Sequence, residues 1–361
     1  MVILKSLLGL VLLITVAGYF INASIVAKQP TKKPLSNTHN EQGKFRNTHK
    51  LESPSLVKTV GIWLRFFTEK KVDTVPNNGI PVQPLSYETL KELSNDSVHL
   101  IKLGHSTSLL KVMGEYWLID PVFSERASPF SFAGPKRFHQ PPISLEALPN
   151  IDKVLISHNH YDHLDKNTIK QLASKTKHFY VPLGVEADIE NWGVNAENIH
   201  SFDWWDEMQT DHAMIAFTPT QHFSGRGIGD ENLTLWGAWV IKTAQESLYF
   251  SGDSGYFDGF KKTGDKYGPF DLTLIETGAY DKDWSDIHMT PEESIQAHIN
   301  LQGKAMIPIH NGTFDLAFHS WYEPLDRVAD EAKRLGVHLS TPIFGEVVSI
   351  SNTPIKSRWW H

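Results

Sequence analysis

The sequence predicts an α/β fold in which sheets are covered by helices. From about residue 96 to the C-terminus, short apolar runs that are typical of strands alternate with segments that are typical of helices. This alternation is the pattern of layered α/β domains. Histidines or aspartates directly follow several of the runs. Because ligands in layered α/β proteins bind where strand ends open into loops, the same pattern predicts a polar site at one edge of the fold.

The domain is predicted to open with antiparallel strands. Val98–Leu103 and Ser108–Val112 flank the turn Gly104–Thr107, and Gly114–Glu115 makes a hairpin turn into Tyr116–Pro121. Further strands are expected at 151–157, 179–182, 213–219, 235–241, 247–251, 272–276 and 305–309. Helices are expected at 167–174, 291–301 and 324–335. The second helix begins at a capping box, because Thr290 is followed by Pro291 and, three residues on, by Glu293.

The N-terminal region differs from this domain in composition. Residues 1–27 carry one charge, Lys5, in an otherwise apolar run, which favours a signal anchor or else a cleaved signal peptide ending at Ile25–Ala27. Residues 28–95 are expected to form a tether and N-terminal extension, since their first half is polar and lacks apolar periodicity. Gly61–Phe67 is an aromatic element that either packs on the domain or lies at a membrane interface. We therefore expect a membrane-associated or exported protein with the membrane surface as a partner.

The composition excludes several kinds of site. None of the 361 residues is a cysteine, which excludes disulfides, thiolate metal ligands and cysteine nucleophiles. A net charge of −7 provides no basic field for a phosphate backbone, so no nucleic acid partner is expected. Any bound metal must be held by the side chains of histidine, aspartate or glutamate, and the chain contains 18 histidines.

Residues 155–165 are the most informative stretch of the chain. Three histidines and two aspartates lie directly after a strand-like run: His158, His160, Asp162, His163 and Asp165. Imidazole and carboxylate are the usual nitrogen and oxygen ligands of zinc, and a loop at a strand end brings several of them to one point. We interpret the stretch as half of a two-metal site; the alternative is a polar loop that happens to be rich in histidine.

The order of the candidate ligands along the chain resembles the metallo-β-lactamase superfamily. H-x-H-x-D-H at 158–163 is followed by His222, by Gly252-Asp253 and by His310. The resemblance implies an αβ/βα four-layer sandwich that holds two metals, which makes residues 96–361 a metallo-hydrolase domain. Longer motifs are similar to N-acylphosphatidylethanolamine-hydrolysing phospholipases D: those at 120–129, 134–138, 157–165, 203–207 and 268–272. This similarity covers residues 97–350 and departs from the pattern at Ser254, where threonine is expected, and at Asn311, where the animal enzyme has an aromatic residue.

The resemblance also implies the ligands of two zinc ions per chain. One ion would be held by three histidines: His158, His160 and His222. The other would be held by Asp162, His163 and His310, with Asp253 between the two ions. The residues implied to be catalytic are Asp162, His163 and Asp253.

Other residues are candidates for supporting roles, each with a structural alternative. His105 and Asp120 lie at predicted turns and either line the metal site or serve packing. Tyr161 either donates to a phosphate oxygen or fills the core, and Asp165 either orients a liganding histidine or caps the loop. His288 precedes the capped helix and is expected to be structural.

The leading functional hypothesis is a di-zinc phosphodiesterase of the phospholipase D type. A hydroxide that bridges the metals would cleave N-acylphosphatidylethanolamine to N-acylethanolamine and phosphatidic acid, and Lys136 and Arg137 are candidates to contact an anionic headgroup. An alternative hypothesis keeps the metals but has a lactone or β-lactam as substrate, or another small anionic ester. A third is a non-catalytic envelope protein with structural metals, which usually have closed four-ligand sites.

Overall fold

The computed structural model describes residues 18, 22, 40–41, 43–51, 55–356 and 358–361. The strands are β1 (Asn40–Glu41), β2 (Lys44–Phe45), β3 (His99–Gly104), β4 (Thr107–Val112), β5 (Glu115–Ile119), β6 (Ile151–Leu155), β7 (Thr176–Pro182), β8 (Ile199–Phe202), β9 (Glu207–Gln209), β10 (Met214–Thr218), β11 (Ala238–Lys242), β12 (Ser247–Phe250), β13 (Phe270–Glu276), β14 (Gly303–Ile309), β15 (His338–Leu339) and β16 (Val347–Ser349). β1 and β2 pair with each other, and the others form two seven-stranded sheets.

Each sheet has an antiparallel and a parallel part. In the first, of order β16-β3-β4-β5-β6-β7-β8, the strands from β16 to β5 are antiparallel and those from β5 to β8 are parallel. In the second, of order β15-β14-β13-β12-β11-β10-β9, the strands from β15 to β12 are parallel and those from β12 to β9 are antiparallel. The carboxyl ends of the parallel strands within each sheet lie at one edge, where loops carry binding residues.

The helices are α1 (Leu56–Thr68), α2 (Tyr87–Glu92), α3 (Lys166–Leu172), α4 (Val185–Asn191), α5 (Gly259–Tyr267), α6 (Pro291–Asn300) and α7 (Glu323–Leu335). The helices from α2 to α7 cover the outer faces of the two sheets. The central core joins the inner faces of the two sheets, with Trp117 of β5 and Trp239 of β11 in one cluster. Ile169 and Ile189 belong to a second cluster on the outer face of the first sheet, and α5, α6 and α7 pack on the outer face of the second. The predicted αβ/βα four-layer sandwich is therefore confirmed.

Most predicted elements are present. The opening hairpins are β3, β4 and β5, and the capping box is formed, because the Thr290 side chain accepts from the Glu293 backbone and the Glu293 side chain accepts from that of Thr290. The sequence did not predict α5, which contains the poor helix formers Gly259 and Gly264. Tertiary packing explains the second glycine, since a Cβ atom there would lie 2.2 Å from the carbonyl oxygen of Asn300.

The N-terminal region requires a correction. The predicted signal anchor or signal peptide at 1–27 lies outside the described residues except for Gly18 and Asn22. Within the described parts of the chain, no helix has the length and apolar character needed to cross a bilayer. This finding contradicts the predicted membrane-associated or exported location, which rested on the apolar N-terminus.

The described part of the predicted extension packs on the sandwich. Leu90 of α2 is fully buried. Arg65 of α1 donates to Asp281 at 2.8 Å, and the ring of Phe66 lies 4.6 Å from that of Phe318. Of the two alternatives for the aromatic element at 61–67, the structure has the one in which it packs on the domain. The domain boundary near residue 96 stays a prediction.

Candidate metal centre

The histidine loop leaves the first sheet at the end of β6 and contains four candidate ligands. They are His158, His160, Asp162 and His163. Asp120, directly after β5, fixes the start of this loop. Its Oδ1 accepts from the Ser157 backbone N–H at 2.7 Å, and its Oδ2 accepts from the Ser157 hydroxyl at 2.6 Å. These two hydrogen bonds join the end of β5 to the end of β6 at the base of the candidate site.

The second sheet supplies single side chains after three of its strands. His222 follows β10, Asp253 follows β12 and His310 follows β14. Asp253 is central: its Oδ1 lies 3.1 Å from Nε2 of His163, and its Oδ2 lies 3.0 Å from Nε2 of His310 and 3.8 Å from Nε2 of both His158 and His222. One carboxylate thus contacts candidate ligands from both sheets.

The candidate ligand atoms form three groups around Asp253, and the third consists of Asp253, Glu276, His288 and His310. The first group is His158, His160, His222 and Asp253, and the second is His105, Asp162, His163 and His310; within each, one atom per residue lies within 4.8 Å of the others. His160 Nδ1 lies 2.9 Å from His158 Nε2 and 3.2 Å from His222 Nε2. Asp162 Oδ2 lies 3.1 Å from Nε2 of both His105 and His310. The structure brings all seven predicted ligands together and adds His105, while their metal-binding roles stay predictions.

Hydrogen bonds on the far side of the rings orient two of the histidines. Nδ1 of His163 lies 2.7 Å from Asp120 Oδ2, and Nδ1 of His222 lies 3.0 Å from the carbonyl oxygen of Ile287. In both rings Nε2 is the nitrogen on the side of Asp253. Histidines that bind metals usually engage their second nitrogen in this way, which fixes the ring and its tautomer.

The electrostatics of the cluster separate its histidines into neutral and charged rings beside ionised carboxylates. The negative charge of Asp253 outweighs burial and raises the pKa of His163 well above its ordinary value and that of His310 to about 10. Burial lowers the pKa of His158 and of His222 well below its ordinary value, so these rings keep a free lone pair. Burial alone would raise the pKa of Asp253, but the charges of His163 and His310 outweigh it and hold that pKa well below its usual range. A buried carboxylate that stays ionised requires cations close by.

Two buried atoms of the cluster lack hydrogen-bond partners in the described part of the chain. His163 Nε2 and Asp253 Oδ1 form an ion-pair contact of 3.1 Å, but the contact lacks hydrogen-bond geometry, and neither atom has a hydrogen-bond partner among the described residues. Unpaired buried polar atoms are rare and need an explanation. A set of imidazole nitrogens and carboxylate oxygens without thiolates suits zinc, and also iron or manganese. The residues present therefore fit divalent metal ions.

Backbone conformation also sets this cluster apart. His105, Asp120 and His310 have φ angles of 38°, 44° and 63°, in the left-handed region that non-glycine residues seldom adopt. Each of them directly follows a strand, at the ends of β3, β5 and β14. Strained residues of this kind persist where the surrounding structure over-determines them, often at functional sites.

Tyr161 and Asp165, which the sequence marked as candidates, make structural contacts. The Tyr161 hydroxyl donates to the carbonyl oxygen of Arg226 at 2.8 Å, and its ring stacks on the Arg226 guanidinium. Asp165 caps α3 by accepting from the Asn167 backbone at 3.1 Å, and it also accepts from that of Ser124 at 2.9 Å. These contacts hold the histidine loop against its neighbours.

Glu276 was not predicted from the sequence, and His288 was expected to be structural. Glu276 ends β13 and is fully buried; its Oε1 pairs with Nδ1 of His288, and its Oε2 accepts from the Ser254 backbone at 2.6 Å. The His288 ring centroid lies 5.1 Å from that of His222 and 5.5 Å from that of His310. The signal that could have identified Glu276 is the one used for the other residues, a polar side chain at a strand end.

A large cavity opens above the cluster. Its volume is about 1500 Å³, and its floor includes His160, Asp162, Asp253, His288 and His310. The wall is largely apolar and comes from α1 and several loops: Ile62, Phe66, Phe130, Phe138, Phe223, Trp284, Ile287 and Leu316. The polar cluster is therefore the floor of an apolar chamber.

Comparisons with known proteins agree with this architecture. Residues 116–311 match the family model described as the beta-lactamase superfamily domain. The fold is similar to that of a metallo hydrolase of the archaeon Ignicoccus hospitalis, with a TM-score of 0.55 and 20% identity over 70% of this chain and 98% of the other. A metal-dependent hydrolase of Caldivirga maquilingensis is 27% identical over 70% of this chain and 97% of its own length.

Two relatives are more similar in sequence. An uncharacterised protein of Mycobacterium tuberculosis is 43% identical over 71% of this chain and 70% of its own length. The N-acyl-phosphatidylethanolamine-hydrolyzing phospholipase D 1 of Caenorhabditis elegans is 32% identical over 83% of this chain and 91% of its own length. With the family match, the four-layer sandwich and the histidine and aspartate clusters, this chain belongs to the metallo-β-lactamase superfamily and is a metal-dependent hydrolase.

Proposed function

We propose that the protein is a di-zinc phosphodiesterase that cleaves N-acylphosphatidylethanolamine into N-acylethanolamine and phosphatidic acid. One observation carries this proposal: histidine and aspartate side chains that could hold metal ions form the floor of an apolar cavity of about 1500 Å³. Pockets for small ligands usually measure about 300–1,000 Å³, so this cavity suits a larger, apolar substrate such as a phospholipid. The name of the C. elegans relative supports the same substrate class.

Seven residues would hold the two zinc ions. His158, His160 and His222 would hold one, Asp162, His163 and His310 the other, and Asp253 would lie between them. The contacts of Asp253 with histidines from both groups support this assignment. We assign His105 the role of orienting Asp162. Its Nε2 lies 3.1 Å from Asp162 Oδ2 and can hold that carboxylate in place.

The bound ions would supply Lewis acidity and lower the pKa of a water molecule toward neutrality. In the overall reaction water adds to phosphorus, the bond between phosphorus and the ethanolamine oxygen breaks, and that oxygen takes a proton. We assign the delivery of this proton to Nε2 of His288, which lines the floor of the cavity. Glu276 engages Nδ1 of the same ring and thereby fixes its orientation.

The positive charges near the cavity have different roles. Arg137 is buried and donates to the carbonyl oxygens of Val122 and Ser124, at 2.9 and 3.1 Å, so it stabilises the loop that carries the wall. Lys136 is exposed, lines the cavity and pairs with Glu125 at 2.8 Å. Since an exposed ion pair is weak, Lys136 is the cation we assign to a substrate phosphate.

The proposal is tested on purified protein by elemental analysis and by mass spectrometry of N-acylethanolamine released from lipid in detergent micelles. We expect two zinc ions per chain and product formation by the wild type. Asp162→Asn should lose activity on the order of 10³-fold, because a metal ligand is removed. Asp211→Asn is the matched control, because Asp211 lies on an exposed turn between β9 and β10.

A specific result would contradict the proposal. If the zinc-loaded wild type left N-acylphosphatidylethanolamine intact while it hydrolysed a lactone or a β-lactam, the enzyme would be an acyl hydrolase built on the same site. The substrate panel therefore includes both compounds, and phosphatidylcholine serves to test the requirement for the N-acyl headgroup.

A further inference from the structure

A short N-terminal segment at 43–51 is part of the packed structure, although the sequence placed it in the tether. Phe45 is fully buried in the central core between the two sheets. Its backbone N–H donates to the carbonyl oxygen of Asn232 at 2.8 Å. The segment is therefore anchored two residues before Asn47.

Asn47 makes a two-bond contact with one of the candidate metal ligands. Its Nδ2 donates to the carbonyl oxygen of His222 at 2.7 Å, and its Oδ1 accepts from the backbone N–H of His222 at 3.0 Å. The indole Nε1 of Trp236, a fully buried residue, also donates to Asn47 Oδ1, at 3.1 Å. The indole of Trp236 thus holds the Asn47 carboxamide, and the carboxamide in turn holds the backbone of His222.

The position of His222 in the chain explains why this contact matters. His222 lies four residues beyond the end of β10, where its backbone no longer has a ladder partner within the sheet. Backbone polar groups away from water require partners, and the Asn47 side chain provides both of them. The ring is fixed separately, by the 3.0 Å contact of Nδ1 with the carbonyl oxygen of Ile287. Backbone and ring together determine where Nε2 lies, 3.2 Å from Nδ1 of His160.

We infer that Asn47 is a positioning residue for the metal centre, so that the N-terminal extension completes the site formed by His158, His160 and His222. This inference rests on the proposed role of His222 as a ligand. Residues that hydrogen-bond metal ligands typically change metal affinity by about 10–100-fold when they are mutated. Asn47 acts on the first group, because His222 belongs to that group and to neither of the other two.

The experiment measures zinc binding by chelator competition, without substrate, for the wild type and three variants. Asn47→Ala should weaken one zinc ion about tenfold or more and leave the other unchanged, with a thermal unfolding temperature close to that of the wild type. Asn47→Asp keeps the acceptor for His222 and Trp236 but loses the donor, so a smaller loss is expected. Asn78→Ala, on an exposed turn, should bind both ions like the wild type.

Two outcomes would overturn the inference. One is wild-type affinity for both ions in Asn47→Ala; the other is equal weakening of both ions together with a lower unfolding temperature, which would indicate general destabilisation. Hydrogen exchange on the metal-free wild type keeps the test decisive if Asn47→Ala does not fold. The amide of His222 should exchange slowly, and exchange as fast as in an exposed loop would contradict the contact. Because no lipid is used, failure of the proposed phospholipase activity would leave these measurements unaffected.

Discussion

The floor and the wall of the cavity are constructed in different ways. The floor consists of buried side chains that bind one another, as Asp253 binds His163 and His310 at 3.1 and 3.0 Å. The wall consists of apolar side chains from separate segments, such as Phe66 of α1 and Trp284, whose rings stack at 6.2 Å. Directional polar contacts fix positions closely, whereas apolar contacts depend mainly on buried area. We therefore expect the floor to determine the rate of the reaction and the wall to determine the affinity for the substrate.

The largest effect should come from the residue at the centre of the floor. Asp253→Asn removes the negative charge shared by the two groups of proposed zinc ligands, so kcat should fall on the order of 10³-fold or more and zinc content should drop below two ions per chain. KM should change little, since Asp253 contributes little to the apolar wall. Steady-state kinetics combined with elemental analysis measures both effects.

The control for this variant is Asp265→Asn, in an exposed ion pair with Lys261 on α5. Its kinetics and zinc content should match those of the wild type. A rise in KM with unchanged kcat in Asp253→Asn would contradict the division between floor and wall.

Most of the floor could be predicted from the sequence, because four of its ligands occupy one local motif at 158–163. His222, Asp253 and His310 required the resemblance as well, since each is a single residue at a strand end. Glu276 has the same position at the end of β13, but one carboxylate without a characteristic spacing gives no separate signal.

Asn47 could not be predicted, because it lies in a polar segment and its partner is 175 positions away in sequence. The wall was equally inaccessible. Its residues come from α1, from the loops around Phe130 and Trp284, and from residues near Leu316, and only the three-dimensional fold brings them together. The strands and helices were predictable for the opposite reason, since apolar periodicity is local to each of them, whereas their four-layer arrangement was implied by the resemblance.

An intermediate effect is expected at the pair formed by Glu276 and His288. Glu276→Gln removes the charge that engages Nδ1 of His288, so proton delivery should become less efficient and kcat for lipid should fall on the order of 10²-fold. A phosphodiester with a nitrophenol leaving group needs no proton on departure and should lose much less. The ratio of the two rates is the measurement.

Equal losses for both substrates would contradict proton transfer by His288 and would favour a structural role for the pair. Glu293→Gln is the matched control, because Glu293 is a carboxylate of the α6 capping box and lies outside the floor. It should leave the ratio of the two rates unchanged.

The smallest effect is expected at the wall, where it should depend on the length of the substrate's acyl chain. Trp284→Ala removes an aromatic face of the cavity, which corresponds to about 1–2 kcal/mol of apolar contact and about a tenfold rise in KM for long-chain lipid. The value of kcat should stay within about twofold, because no floor contact is lost. For a short-chain phosphodiester that does not reach the wall, KM should not change.

Tyr87→Ala, at a half-exposed aromatic residue of α2, controls for the loss of a ring elsewhere. A loss of kcat that is independent of chain length in Trp284→Ala would mean that the wall also positions the floor, and the distinction between rate and affinity would then fail.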